Sequence, residues 1–488
     1  MGADTSGFGA ALFDKKITEE ITGFSIDSRS VGAGELFFAL SQQDYTRAGF
    51  NGEFVDAHRF ISDAFQRGAI AAVARADRVQ GDAELEAMRE RLVLVEDAIA
   101  ALQQLAHRVY EAWNKPVVGI TGSAGKTTAK ELTAHVLKSA GYRVLKSERN
   151  YNNGLGLPLS VLRMVSEGNS PADFDLAVLE MGMSSPTHEI RRLCYITPPD
   201  VGVELMVAPV HLEYLGTIEN VAAAKAELIE GLKPDGTAIL NADDPLVMKM
   251  REKHAGKTLT FGIVNHGDVS AAEIDTRHLG KISFRLLTPN GAARAQLAMS
   301  GQHNLSNALA AATVGVSFGL SAEQIAEALS TARPPKMRGE IVDFAAGFTV
   351  IDDSYNSNPR SLLNMVRTMA DARESRKRLL VIAGEMLELG PEEASLHRAA
   401  GREIADTGVN VLWGVRGLAS QIVAGAAEAG LSQTRFFESS DDAANEIVKE
   451  VREGDLVLVK GSRGVATEKV INALKERFPL AGEDVSHR

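Results

Sequence analysis

The sequence is poor in cysteine and has no long apolar run. Its 488 residues include one cysteine, Cys194, which excludes an internal disulfide and is typical of a reducing cytosol. We interpret Cys194 as a small buried hydrophobic residue. No apolar stretch is long enough to cross a bilayer, and the N-terminal segment lacks the basic and apolar regions of a secretory signal. These absences predict a soluble, cytoplasmic protein.

Dense tracts of lysine and arginine are also missing. The net charge is -12, and no basic run is interleaved with aromatic residues, so we expect no nucleic-acid partner. We also expect no membrane span and a monomer. The acidic balance does not exclude an anionic substrate, because a few backbone amides and one lysine in a desolvated cleft can hold a phosphate.

The length predicts about three domains, and strand and helix patterns alternate along most of the chain. We predict an α/β protein with a small α/β module at 1–98, a central, mostly parallel sheet at 99–333 and a C-terminal Rossmann-like domain at 334–488. A helix from Ala98 to Trp113 marks the first boundary. Arg333-Pro334-Pro335 marks the second, because proline interrupts a helical pattern.

Short apolar segments indicate the strands of each predicted domain. They are SIDSRS, ELFFAL, AIAAVAR and RLVLVED in the first, KPVVGIT, YRVLKS, DLAVLEMG, VGVELMV and TAILNADD in the second, and FTVIDD, RLLVIAG, VNVLWGV and DLVLVKG in the third. The less helical part at about 256–300 predicts an antiparallel excursion. Two helices are expected after it.

The stretch GITGSAGKTTAKEL, from Gly119, has the context of a phosphate-binding loop, although its first glycine is displaced from the usual spacing. An apolar strand leads into a glycine turn and then into a helix start, whose amides can surround phosphate oxygens. Lys126 would neutralise the transferring phosphoryl group, and the Thr127 hydroxyl would bind Mg²⁺. The predicted ATP-binding loop comprises Gly122, Ser123, Ala124, Gly125, Lys126, Thr127 and Thr128.

The altered loop T-G-x-x-G-K-T-T resembles that of the Mur ligases, ATP-dependent enzymes that add amino acids to the bacterial cell-wall precursor. Further stretches resemble that family in the same order, over about residues 24–472. They are NYNNGLGLPLSVL, LEMGMS, HLEYLGTIENVAAAKAEL, GQHNLSNALAAA, MRGE, DDSYNSNPRS, GEMLELG and VLVKGSRG.

The last three of these motifs look like those of the final ligase in the series. The resemblance implies an enzyme that joins D-alanyl-D-alanine to UDP-N-acetylmuramoyl-tripeptide through an acyl phosphate, with ATP as co-substrate and ADP and phosphate as products. A carboxylate and a γ-phosphate repel each other, so the chemistry requires Mg²⁺ and basic side chains where they meet. The first domain would then be a uridine-binding module.

Three residues are candidates to hold metal or act in catalysis. Glu180 ends an apolar strand, which predicts a carboxylate beside the loop and a Mg²⁺ ligand; a helix cap or surface residue is the alternative. His211 is a second ligand by the resemblance, and a structural histidine otherwise. Lys225 matches a carbamylated lysine of the family, and burial among alanines would favour the neutral amine that carbon dioxide attacks. An exposed lysine is its alternative.

Other residues are candidates for binding nucleotide and substrates. Asn304 and Asn307 lie three apart on one helical face and could read adenine, with Asn153 nearby. By resemblance, Arg338 would reach the γ-phosphate and Asp353 the ribose, which implies closure of the third domain. The resemblance also suggests a dipeptide pocket shaped by Asn356 and Asn358, with turn-forming asparagines as the alternative, and a UDP site formed by Ser28, Arg29 and Asn51.

Two other functions remain open from the sequence. One is the preceding ligase, which adds the third peptide residue; it has a D-N-P-R motif, whereas here Asn358-Pro359-Arg360 follows Ser357. The other is a P-loop regulatory ATPase that ligates nothing. Two departures from the family pattern, Ala124 in the loop and Glu385 where aspartate is usual, leave dipeptide selectivity open.

Overall fold

The computed structural model describes residues 20–50, 52–148, 151–183, 188–210, 212–372 and 378–482. It confirms the α/β class, with three sheet-containing regions of which the central one is rich in parallel strands. The chain forms two compact units: residues up to Ala208 with Thr217–Thr260, and Pro209–Gly216 with everything from Phe261 on. The predicted boundaries at 98 and 333 stay predictions. Within the described ranges, no helix is long and apolar enough to cross a bilayer.

The first region contains a four-stranded parallel sheet in the order β1-β2-β3-β4. The predicted strand at SIDSRS is wrong beyond Ser25, because the chain turns at the DSRS motif. The predicted helix over Ala98–Trp113 is confirmed as α5. The elements are β1 Gly23–Ser25, β2 Glu35–Phe38, α1 Gln42–Arg47, α2 Ile61–Gln66, β3 Ala71–Arg75, α3 Ala76–Val79, α4 Ala83–Ala87, β4 Leu92–Val95 and α5 Ala98–Trp113.

One buried aspartate fastens α5 to this sheet. Asp44 Oδ2 accepts the backbone N–H of Ala98, 3.1 Å away, and Oδ1 accepts Nη1 of Arg75, 2.5 Å away. Asp97 caps the same helix, because its side chain accepts the N–H groups of Ile99 and Ala100 in the first turn. Because Arg75 ends β3, the start of α5 and the carboxyl edge of the sheet share one set of hydrogen bonds.

The first unit continues with a parallel sheet in the order β9-β8-β5-β7-β6. Strands β5, β7 and β8 are buried along their whole length, as expected for parallel strands covered on both faces. The elements are β5 Val117–Thr121, α6 Lys126–Ser139, β6 Val144–Lys146, α7 Gly156–Leu162, β7 Leu176–Glu180, α8 Glu189–Ile196, β8 Val201–Glu204, α9 Leu212–Leu215 of the second unit, α10 Ile218–Glu230, β9 Thr237–Asn241 and α11 Pro245–Met248.

The less helical part forms strands β10 to β13, and β10 carries the chain from the first unit into the second. Strands β11, β12 and β13 pair antiparallel, which confirms the predicted excursion. Strand β10 departs from it, because its last two residues pair in parallel with the start of β11. Two helices follow as predicted. The elements are β10 Lys257–Gly262, β11 Val269–His278, β12 Lys281–Thr288, β13 Gly291–Leu297, α12 Gln302–Ser317 and α13 Ala322–Thr331.

The C-terminal sheet has the order β14-β15-β19-β16-β17-β18, and only β14 is antiparallel to its neighbour. This confirms a Rossmann-like region, in which β19 lies between β15 and β16. The elements are β14 Glu340–Asp343, β15 Thr349–Asp353, α14 Pro359–Asp371, β16 Arg378–Gly384, α15 Glu393–Ala405, β17 Val411–Val415, α16 Ala419–Glu428, β18 Thr434–Phe437, α17 Ser440–Glu450, β19 Asp455–Lys460 and α18 Glu468–Arg477.

Helices α15 and α16 approach each other closely at two glycines. A Cβ atom on Gly401 would lie 2.0 Å from the backbone oxygen of Ile422, and one on Gly425 would lie 2.0 Å from that of Arg398. Neither contact leaves room for a side chain. Short 3₁₀ turns complete the chain at Ala57–Phe60, Arg89–Arg91, Arg163–Val165, Pro171–Asp173, Lys249–Lys253, Gly390–Glu392 and Arg463–Val465.

Candidate active site

The glycine loop connects β5 to α6 at the carboxyl edge of the parallel sheet. Gly122 has φ 153° and Gly125 has φ 86°, conformations that side chains rarely adopt. A Cβ atom on Gly122 would also lie 2.8 Å from Cβ of Leu205. Helix α6 begins after Gly125 without a side-chain cap. Its first amides therefore point toward the space where an anion would bind.

Two contacts hold this loop in shape. The Ser123 N–H donates to the Met206 carbonyl at 2.8 Å, and the Ser123 hydroxyl exchanges hydrogen bonds with the backbone of Ala208 at 2.9 and 3.1 Å. Lys126 Nζ donates to the Gly122 carbonyl, 2.9 Å away. The loop is thus tied to the segment that follows β8, and Lys126 folds back over it. Ala124 lies in this turn, and Thr128 is buried in the first turn of α6.

Glu180 lies at the end of β7, as predicted, and its carboxylate contacts the loop. Oε2 accepts the Thr127 hydroxyl at 2.9 Å, and Oε1 accepts Nδ2 of Asn152 at 2.8 Å. The side chain is buried. Sequence reasoning selected Asn153 from the NYNNG motif and missed Asn152. The Asn153 side chain instead accepts the N–H groups of Leu155 and Gly156 at the start of α7.

A buried lysine supports the backbone at Glu180. The Glu180 N–H donates to the hydroxyl of Ser147, 3.0 Å away, and Lys130 Nζ donates to the Ser147 carbonyl at 2.6 Å. Lys130 also lies 3.1 Å from Glu131 Oε1. Both Lys130 and Ser147 are buried. The ends of β6 and β7 are therefore fixed to α6, the helix that begins at the loop.

Lys225 is buried on α10, as predicted. It interacts electrostatically with the carboxyl group of Glu204, a residue that the sequence analysis did not select. Glu204 ends β8 and has no exposed surface, and neither of its oxygens has a hydrogen-bond partner among the residues that the structure describes. Burial raises the pKa of the Glu204 carboxyl to about 8, against the opposing charges of Lys225 and Lys126. Burial lowers the pKa of the Lys225 amine to about 7; Lys126 lowers it further, and Glu204 opposes the shift.

The oxygen atoms at this edge suit a magnesium ion, which prefers hard oxygen ligands and is held by one or two carboxylates with substrate phosphates. Thr127 Oγ1 and the Glu180 carboxylate are 2.9 Å apart and supply such ligands. Among the described residues, no group of three or more His, Cys, Asp or Glu side chains is arranged to hold a metal. His211 lies outside the described residues.

In the second unit, Arg338 and Asp353 flank the first strand pair of the C-terminal sheet. The Arg338 guanidinium lies over the ring of Tyr355, with Cζ 4.1 Å from the ring centre. Asp353 ends β15 and accepts Nζ of Lys460 at 2.6 Å. The same Nζ donates to the Asn356 carbonyl at 2.8 Å. Lys460 ends β19 in the VKGSRG motif, and its pairing with Asp353 was not predicted from the sequence.

The remaining asparagines are engaged locally. Asn304 is buried in the first turn of α12 and donates to the Ser300 carbonyl at 2.8 Å, and Asn307 is buried one turn later. Asn356 accepts the N–H of the next residue at 2.9 Å. Asn358 caps α14 through the N–H of Ser361 at 2.8 Å. Both side chains thus engage nearby backbone, Asn356 in a turn and Asn358 at a helix cap that the sequence analysis did not anticipate.

A cavity of about 670 Å³ lies beside the DSRS turn of the first region. Ser28 and Arg29 line it together with aromatic side chains, including Tyr45 and Phe54. Arg29 is fully exposed and forms a two-point ion pair with Asp27, which lowers the pKa of the Asp27 carboxyl to about 2. Asn51 lies outside the described residues.

One departure from the family pattern, Glu385, has a structural explanation. Glu385, after β16, accepts the N–H of Leu418 at 2.9 Å just before α16. Its carboxylate therefore serves the helix start. Cys194 is buried as predicted, and burial raises the pKa of its thiol to about 12.

Comparison with known proteins covers nearly the whole chain. Three family models match: the Mur ligase family catalytic domain over 20–110, the Mur ligase middle domain over 120–315 and the Mur ligase glutamate ligase domain over 337–463. The chain is 33% identical to the UDP-N-acetylmuramoyl-tripeptide--D-alanyl-D-alanine ligase of Bacillus subtilis, covering 93% of both chains.

Solved structures give the same result. The chain is similar to MurF from Acinetobacter baumannii, with a TM-score of 0.82, 28% identity and coverage of 97% and 98%. It is also similar to the MurF ligase of Thermotoga maritima in complex with ADP, with a TM-score of 0.78, 26% identity and coverage of 95% and 99%.

Proposed function

Because the chain belongs to the Mur ligase family, we propose that it joins D-alanyl-D-alanine to UDP-N-acetylmuramoyl-tripeptide, with cleavage of ATP to ADP and phosphate. The terminal carboxylate of the tripeptide attacks the γ-phosphorus, and ADP leaves. The dipeptide amine then attacks the acyl phosphate, and phosphate leaves as the amide forms and the amine loses a proton. The chain is similar over 93% of its length, and over 93% of the relative's length, to a ligase named for this reaction. This similarity supports the assignment over that of the ligase of the preceding step.

The contact between Thr127 and Glu180 carries the proposal. It places a helix N-terminus, a lysine and a buried carboxylate around one volume at the sheet edge. The loop amides bind the β- and γ-phosphate oxygens, and Lys126 moves from the Gly122 carbonyl to the transferring group. The hydrogen bond from the Glu180 N–H to the Ser147 hydroxyl fixes the backbone at Glu180, and Asn152 and Thr127 hold its carboxylate. A bound Mg²⁺ would neutralise the negative charge that gathers between the phosphate and the attacking carboxylate.

We extend the proposal to Lys225, as a carbamylated side chain acting with His211. A carbamate forms from a neutral amine, and the lowered pKa of Lys225 supplies that form near neutral pH. The raised pKa of Glu204 keeps the neighbouring carboxyl protonated in the same range, so no second buried anion opposes the carbamate. The carbamate oxygens would then serve as additional hard ligands.

The nucleotide contacts also remain proposals. Asn304, Asn307 and Asn153 would contact adenine, Asp353 the ribose and Arg338 the γ-phosphate. Support for Arg338 comes from its surroundings: among the described residues it makes no side-chain hydrogen bond or ion pair. Its donors are therefore available to an anion.

For the substrates, the cavity at Ser28 and Arg29 would hold the UDP end of the precursor, together with Asn51. Its aromatic lining suits a pyrimidine ring, and Arg29 offers a cation at its exposed rim. Asn356 and Asn358 would border the dipeptide. Both lie at the carboxyl edge of the C-terminal sheet, where ligands bind in this type of fold.

Phosphate release tests the function directly. Purified protein with ATP, Mg²⁺ and bicarbonate is offered UDP-N-acetylmuramoyl-tripeptide and D-alanyl-D-alanine, singly and together. We expect release only with both, and a strong preference for D-alanyl-D-alanine and D-alanyl-D-lactate over single amino acids. Release without the dipeptide would instead favour a regulatory ATPase, and release with a UDP-linked dipeptide and one amino acid would favour the preceding ligase. Lys126→Ala serves as the inactive control.

A further inference from the structure

Within the described residues, Arg338 forms no ion pair with an acidic side chain. Arg338 lies just before β14, and the Gly339 N–H donates to the Asp352 carbonyl, so this segment neighbours the two acids at the end of β15, Asp352 and Asp353. Asp352 accepts the hydroxyl of Ser354 at 2.6 Å, and Asp353 accepts Lys460 at 2.6 Å. Both acids are thus committed elsewhere.

The contact that Arg338 does make is with an aromatic face. Its Cζ lies 4.1 Å from the ring centre of Tyr355, within range of a cation–π interaction. Stacking covers the flat face of a guanidinium and leaves its in-plane N–H groups free to donate hydrogen bonds to two anionic oxygens at once. In the described parts of the chain, the Tyr355 hydroxyl has no hydrogen-bond partner. Tyr355 therefore contacts Arg338 through its ring and not through its hydroxyl.

The backbone around the stack is fixed on both sides. The Tyr355 N–H donates to the Met337 carbonyl at 3.2 Å, and the Gly339 N–H donates to the Asp352 carbonyl at 2.8 Å. Met337 has φ 63°, a left-handed conformation that costs a non-glycine residue energy and that the surrounding contacts must maintain. This turn aims Arg338 at the ring.

We infer that Tyr355 is a positioning residue, whose ring holds the Arg338 guanidinium in the orientation that binds a phosphate of the nucleotide. The inference rests on the proposed function, which assigns the γ-phosphate to Arg338. Without the ring, the long arginine side chain samples many rotamers and its donors lose their alignment before phosphoryl transfer.

The test compares Tyr355→Phe, which keeps the ring, with Tyr355→Leu, which removes it. We expect kcat to fall roughly 5- to 100-fold in the leucine variant, with KM for the UDP-tripeptide within about 2-fold of wild type. The phenylalanine variant should stay within about 3-fold of wild type. Phe65→Leu is the matched control, because it removes another arginine–aromatic stack, Arg91 on Phe65 at 3.8 Å, in the first unit.

A double-mutant cycle decides whether Tyr355 acts through Arg338. Tyr355→Leu should add little to Arg338→Ala, since the ring has nothing left to position. An additional loss equal to that of the single variant would overturn the inference. So would equal losses in the phenylalanine and leucine variants, or no loss in either. If the leucine variant unfolds, Tyr355→Met fills a similar volume without a ring and takes its place.

Failure of the proposed function would look different. Wild-type protein would then release no phosphate when both substrates are present. The role of Tyr355 is tested separately by the affinity of the same variants for ATP, measured by calorimetry. Weaker binding in the leucine variant than in the phenylalanine variant supports the role of the ring. Equal affinity overturns it.

Discussion

Glu204 offers a sharp test of the electrostatics beneath the glycine loop. Its carboxyl group is fully buried and has no hydrogen bond within the described part of the chain, and its pKa rises from an ordinary 4.5 to about 8. Folding must therefore deliver a proton to Glu204 whenever the pH lies between these values. Glu204→Gln keeps the shape of the side chain and has no proton to take up.

The sign follows from proton linkage. Between pH 4.5 and about 8 the folded protein binds one more proton at Glu204 than the unfolded chain, so the free energy of unfolding falls as the pH rises. Protonating an unfolded glutamate costs about 0.8 kcal/mol at pH 5 and about 3.4 kcal/mol at pH 7. The stability of Glu204→Gln relative to wild type should thus increase by about 2.6 kcal/mol over that interval. Lys225 contributes a slope of opposite sign above pH 7, where its lowered pKa lies.

Urea unfolding measures this difference if the first unit is observed alone. The chain has two tryptophans, Trp113 in the first unit and Trp413 in the second. A Trp413→Phe background leaves Trp113 as the fluorescence reporter. Any effect of Trp413→Phe on the free energy of unfolding is the same in both proteins and cancels in their difference. Buffers without Mg²⁺ and bicarbonate keep Lys225 unmodified. Glu219→Gln, an exposed residue of α10, should show a difference within about 0.5 kcal/mol at both pH values.

Constant stability of Glu204→Gln relative to wild type between pH 5 and pH 7 would refute the reasoning. That outcome is expected if Glu204 is ionised and paired with the Lys225 ammonium in the folded state, because Glu204 then takes up no proton on folding in this pH range. The Gln variant would then lose the partner of a buried cation.

Three further predictions address other parts of the chain. Glu180→Gln should lower kcat by at least about 100-fold while the unfolding midpoint stays within about 2 °C, as phosphate release and thermal unfolding will show. Lys460→Met should cost about 2–4 kcal/mol by leaving Asp353 without its cation, and adding Asp353→Asn should restore part of it in urea unfolding followed by second-unit fluorescence. Gly401→Ala should cost at least about 3 kcal/mol in the same assay, since its Cβ would meet a backbone oxygen of α16, whereas Glu403→Ala on the exposed side should cost under about 1 kcal/mol.

Much of the fold is predictable because the strands are buried on both faces and appear as continuous apolar runs. Strands β5, β7 and β19 begin and end close to the segments read from the sequence. The strand predicted at SIDSRS is mostly wrong because the segment has few apolar residues and the chain turns directly after Ser25. The parallel pairing of β10 with β11 depends on a connection, 263–268, whose path carries no periodic signal.

The site is predictable where chemistry attaches to a motif and not where it depends on pairing in space. The glycine loop and Glu180 are recognisable because a strand, a turn and a helix occur together. Glu204 closes an apolar strand like any other polar residue, and its burial follows from α10 lying against β8. Tyr355 and Lys460 lie within recognisable motifs, yet their partners are distant in sequence and are set by the strand order.

The hydrogen bonds of Asp44 bear on how the chain can be divided for study. A fragment cut at residue 98 keeps the four strands of the first sheet and loses the helix whose amide one of the Asp44 oxygens accepts. Arg75 would then meet a carboxylate exposed to water, and the apolar face of α5 would be missing from the sheet. A fragment that carries the first sheet should therefore extend through Trp113, so that it ends where the helix does and not where the strand pattern stops.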